Sequence, residues 1–76
     1  MNRGMLWFDN DPKTNLTIKI KKAADYYHRK YGTAPNLCLV NPSTLIDKIS
    51  EEGRIAVRTY RPVLPGYLWI GLAEKN

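Results

Sequence analysis

The sequence predicts a small two-layer α/β (α+β) sandwich of order βαβαββ, a mixed four-stranded sheet with two helices mainly on one face. Three observations carry that expectation. The chain has 76 residues, 43% of them hydrophobic, which fits one small domain over residues 1–76 and leaves no room for a second. A stretch from about Lys13 to Tyr31 repeats its apolar residues at helical spacing. Two stretches near the end, 54–60 and 67–73, alternate as strands do.

The elements follow in chain order. Residues 1–4 read as a flexible tail. "MLWFD" at 5–9 reads as a short strand, with Leu6 and Phe8 on one face and Met5 and Trp7 on the other. "NDPKT" then signals a helix start. Asp11 supplies a capping oxygen and Pro12 suits the first helical position, where its missing N–H is not needed. Thr14 or Asn15 offers a second cap. Leu16, Ile20, Ala23, Ala24, Tyr27 and Tyr31 form one apolar stripe, and Gly32 stops the helix. "LTIKIK" also alternates, but the longer stripe continues in phase through Ile20 and favours a helix.

"NLCLV" at 36–40 is a short continuous apolar run, as expected of a strand at the centre of a sheet. "NPSTLIDKISEEG" reads as a second helix, capped by Asn41 or Ser43, with Leu45, Ile46 and Ile49 on its apolar side and Gly53 at its end. The last two strands then read as a hairpin. Either Pro65 and Gly66 form its turn, or residues 61–66 form a longer loop. Both loops have even length and sort the side chains the same way. The expected core is Leu6, Phe8, Ile55, Val57, Leu68, Ile70 and Leu72 against the helices. Pro62 and Pro65 restrict pairing nearby and suit a sheet edge.

The opposite sheet face is the expected functional surface. Arg54, Arg58, Tyr60, Tyr67 and Trp69 project from it by parity, joined by Trp7 from the first strand. Trp, Tyr and Arg dominate the energetics of protein interfaces. The same rings would stack unpaired bases, with arginine on phosphate. Folding of the loop over this face, or a ring covering Gly71, would make part of it plain structure.

Charge adds a second surface. Twelve basic residues against seven acidic give a net charge of +5, within the ordinary range for solubility yet compatible with a polyanionic partner. Lys19, Lys22, Arg29 and Lys30 lie along one side of the first helix with Tyr26 among them, a stripe that could contact phosphates. In a two-layer fold it points away from the ring-bearing face, so the two do not form one groove.

Catalytic and metal chemistry leave little trace. His28 is the sole histidine, and with Tyr27 and Arg29 beside it an RNase-type toxin is a third reading, without a visible acid–base pair. Cys38 sits in the most apolar strand and reads as a small buried hydrophobe; alone, it forms no intrachain disulfide. Asp9 reads as the end of the first strand and Asp11 as a helix cap, rather than as metal ligands. The five glycines are scattered, with no phosphate-binding loop. No cofactor, no metal and no small-molecule substrate is expected. The absence of a signal-like or membrane-spanning apolar run, together with the lone cysteine, points to the cytoplasm. The expected function is therefore a non-catalytic binding module. Its partner would be another protein or a second copy in a homodimer, with single-stranded nucleic acid as the alternative.

Overall fold

Residues 3–44 and 51–73 are described by the computed structural model. They form a mixed α+β arrangement of β1 (Arg3–Phe8), α1 (Leu16–Tyr31), β2 (Leu37–Val40), β3 (Glu51–Glu52), β4 (Ile55–Thr59) and β5 (Tyr67–Leu72). The strands make one sheet in the order β1-β5-β2-β4-β3. It has five strands where four are expected, with one helix among the described residues.

α1 begins one turn later than the Asp11–Pro12 signal suggests. Asn15 is its N-cap, its side-chain oxygen accepting from the Ile18 N–H at 2.9 Å. Asp11 instead closes the preceding turn, accepting from the Lys13 N–H at 2.9 Å and the Thr14 hydroxyl at 2.8 Å. Gly32 ends the helix in the left-handed region (φ 75°), its N–H donating to the His28 carbonyl, as the sequence predicts.

β1 and β2 both pair antiparallel with β5 and therefore run parallel to each other. α1 is the crossover between them and packs over β5. The helix contributes Ile20, Ala23 and Tyr27 to the core, and the sheet contributes Cys38, Val40, Val57, Leu68 and Ile70. Met5, Trp7, Leu16, Ala24, Ile55 and Leu72 pack around them.

Several expectations are corrected. Arg3 and Gly4 belong to β1 and not to a tail, because they continue the ladder opposite Leu72 and Gly71. Register also reverses the faces of β1. Met5 and Trp7 lie opposite Ile70 and Leu68 and turn toward the helix, so Leu6 and Phe8 leave the predicted core.

β4 and β5 are not a hairpin. β2 lies between them, parallel to β4. "LPGY" at 64–67 does make a tight turn, with Gly66 at φ 89° and the Tyr67 N–H donating to the Leu64 carbonyl at 3.0 Å. That turn sits within a longer connection, and β5 is an interior strand rather than an edge.

The second helix is not what its flanks form. Residues 41–44 close a turn in which Asn41 Oδ1 accepts from the Ser43 N–H and hydroxyl at 2.9 and 2.7 Å. Glu51 and Glu52 pair with β4 through a turn at Gly53 (φ 60°), so this glycine serves a strand turn instead of a helix end. Leu45, Ile46 and Ile49 lie outside the described residues.

Cys38 is fully buried in β2, and burial pushes its thiol up from 9.0 to about 12. The folded state therefore holds the neutral thiol while the unfolded chain ionises, and stability falls with rising pH between those values. The wild type should lose stability relative to Cys38→Ala by about 1.4 kcal/mol per pH unit across that window. Urea unfolding of both proteins from pH 8 to 11 measures it. A constant difference would mean that the thiol ionises equally in both states.

Candidate functional site

The sheet face opposite α1 is arranged in cross-strand rows. Gly4, Gly71, Leu37 and Ala56 stand side by side at one end. Leu6, Trp69, Leu39 and Arg58 form the next row, and Phe8 and Tyr67 begin the third. Alternation along each strand places these side chains together and sends Met5, Trp7, Cys38, Val57, Leu68 and Ile70 to the helix side.

Trp69 is held by the glycines. A Cβ added to Gly4 would collide with its six-membered ring, and one added to Gly71 would meet the Arg3 carbonyl and the Gly4 Cα. The indole thus lies across a strip of bare backbone that only glycine leaves open, an aromatic cover for adjacent glycines. The Phe8 and Tyr67 rings are in tilted contact, centroids 4.9 Å apart at 55°. At the other end the connection folds back. Val63 is buried, and with Leu39, Tyr60 and Trp69 it lines a shallow apolar hollow. The Tyr60 N–H donates to the Val40 carbonyl at 2.7 Å, anchoring this return. Part of the face is therefore structural, as ring cover and loop cover require.

What stays open is apolar. Leu6 is 62% exposed, Phe8 56% and Tyr60 51%. Arg58 is the basic member, its guanidinium donating to the Val57 carbonyl at 2.9 Å.

Four of the predicted face residues, Arg58, Tyr60, Tyr67 and Trp69, are brought together here. Trp7 and Arg54 are not. Trp7 lies under the helix against Tyr26, ring centroids 5.3 Å apart. Arg54 occupies the β3–β4 turn and lines a crevice on the helix side with Lys21, Asp25 and His28. Leu6, Phe8, Leu39 and Val63 take part instead. In "MLWF" all four residues are apolar, so alternation has no contrast from which to fix the phase. The continuous run containing Leu39 hides its face in the same way.

The basic stripe is on the opposite layer and is partly engaged. Lys19 lies 4.0 Å from Asp9, and Arg29 pairs with Asp25 at 3.0 Å. Lys30 sits over the Tyr26 and Tyr31 rings at 5.8 and 5.4 Å, while Lys22 is exposed. Around His28 the carboxylates also have partners: Asp25 holds Arg29, and Glu52 holds Lys21 at 3.6 Å. Among the described residues no three His, Cys, Asp or Glu side chains gather as a metal site. The Asp11 carboxyl titrates below its ordinary value because the Lys13 N–H and then the Thr14 hydroxyl donate to its charged form.

No family model matches this chain, and no curated protein or solved structure matches it either. No helix among the described residues is long and apolar enough to cross a membrane.

Gly4→Ala should displace the Trp69 ring and cost about 1–3 kcal/mol, the usual penalty of overpacking. The readout is a lower urea midpoint together with a shifted tryptophan emission. Trp7 shares that emission, so the comparison is made in a Trp7→Phe background. Unchanged emission and midpoint would mean that the ring does not rest on Gly4.

Proposed function

We propose that the protein is a small non-catalytic binding module that docks another protein, or a second copy of itself, on the open sheet face. The observation that supports it most is the exposure of Leu6, Phe8 and Tyr60 on the sheet face opposite α1, around Trp69 and Arg58. A cluster of large apolar side chains left in water on a small domain marks an interaction surface. Rings fixed by neighbours, such as Trp69 over Gly4 and Tyr67 against Phe8, lose little entropy when a partner covers them. Arg58 beside them matches the Trp, Tyr and Arg pattern of interface hot spots.

Single-stranded nucleic acid fits this surface less well. The leucines Leu6 and Leu39 flank Trp69 in its row, where base stacking would call for rings. The basic side chains of α1 lie on the other layer and cannot follow a backbone across the same face.

Tyr60→Ala and Leu6→Ser are expected to weaken a docked partner roughly tenfold or more each, while Lys22→Ala leaves binding unchanged. Affinity enrichment with the wild type and these variants, each shown folded by circular dichroism, identifies a partner. Titration of that partner then measures the affinities. Salt-sensitive binding of a single-stranded oligonucleotide that both Lys22→Ala and Tyr60→Ala weaken, with no protein partner captured, would favour the alternative reading and overturn this one.

A further inference from the structure

β1 is an edge strand of six residues with no proline and no lysine, the kind of edge that natural sheets usually blunt. Its hydrogen-bonding phase is set by two observations. One step beyond the Phe8–Tyr67 pair, the Asp9 N–H donates to the Gly66 carbonyl at 2.9 Å. The Gly71 carbonyl faces the other way, accepting from the Asn36 N–H of the β2 side at 2.9 Å. Bonded and non-bonded pairs alternate in an antiparallel ladder. Arg3, Met5 and Trp7 therefore bond to β5, while Gly4, Leu6 and Phe8 aim their N–H and C=O groups outward. All three of these residues are exposed.

We propose that β1 pairs antiparallel with β1 of a second copy, centred on Leu6, to give a two-fold dimer with one continuous sheet. The strand is complementary to itself in this register. Leu6 meets the partner's Leu6, and Gly4 meets the partner's Phe8, both as bonded pairs on the open face. Three such pairs exchange about six backbone hydrogen bonds. On the helix face, Met5 lies opposite the partner's Trp7, a favourable sulfur–aromatic pairing. At each end Arg3 lies opposite the partner's Asp9, a carboxylate that already accepts from the Asp11 N–H and has Lys19 at 4.0 Å.

A register one residue away would set outward-aimed groups against inward-bonded ones and lose the ladder. A register two residues away would remove the Arg3–Asp9 match. The two helices, which pack over β5 in each copy, stand about three strand spacings apart, roughly 14 Å, leaving room for the side chains between them.

The pairing uses the strand's backbone edge and is independent of docking on the face; it would set two such faces side by side. Sedimentation equilibrium from about ten micromolar to one millimolar is the test, the expected species having twice the 8.8 kDa chain mass. Leu6→Pro removes an N–H that points outward, so β1 keeps its bonds to β5, and this variant should sediment as a monomer. Arg3→Asp and Asp9→Arg should each weaken the dimer roughly tenfold through like-charge contacts, and the double swap should restore it. In the wild type, the Gly4, Leu6 and Phe8 amides should exchange more slowly as concentration rises. Tyr60→Ala, which belongs to the face alone, should leave the dimer intact. A monomer throughout the range overturns the edge pairing, and so does a dimer indifferent to the charge swaps with fast-exchanging Gly4, Leu6 and Phe8 amides. A dimer lost on Tyr60→Ala and kept on Leu6→Pro assigns self-association to the face instead.

Discussion

Strands β1 and β2 run parallel but never touch, because α1 carries the chain across a gap that β5 fills. That gap spans two strand spacings, about 10 Å, and each of its borders is a row of backbone donors and acceptors. β5 satisfies both rows at once. It also places Leu68 and Ile70 under the helix and Tyr67 and Trp69 on the opposite face. The two-sided role explains its composition. Gly71 allows the close approach of β1, and Trp69 restores over Gly4 the contact that the missing side chains give up.

Much of this architecture is readable in the residues. The Gly32 stop, the stripe through Ile20, Ala23 and Tyr27, and the central position of β2 follow from spacing and composition. Where the reading departs from the structure, the cause is a tertiary choice among locally equal options. "MLWF" is apolar on both sides, so only its pairing with β5 decides that Trp7 goes in and Phe8 stays out. Gly53 suits a helix end and a strand turn alike. Alternation at 54–60 and 67–73 correctly signals strands but says nothing of whether they pair, and β2 separates them. The shared face of Arg58 and Trp69 survives this change because both align with Leu39, one from each side. A parity inference can thus hold although the pairing assumed for it does not.

The two layers divide the chemistry between them. α1 carries lysines and arginine whose charges are met in part by Asp9, Asp25 and Glu52, or spread over tyrosine rings. The sheet's far side carries leucines and rings with Arg58 among them. A ligand that needs both charge and stacking would have to reach around the domain. A ligand that needs an apolar surface with one cation finds it on a single plane.

The aromatic cover over paired glycines also bears on how the chain becomes ordered. Gly4 and Gly71 come from opposite ends of the described sequence, so their contact closes nearly the whole chain into a loop. The entropy of such closure is on the order of 4 kcal/mol and precedes any stabilising contact at the site. Until β5 arrives, β1 and β2 each present an unpaired edge, and Trp69 has no backbone to rest on. Non-local ladders of this type form slowly. The interval before closure is when this sequence is most exposed to association with the wrong strand, and its length follows from the sequence separation of the paired strands.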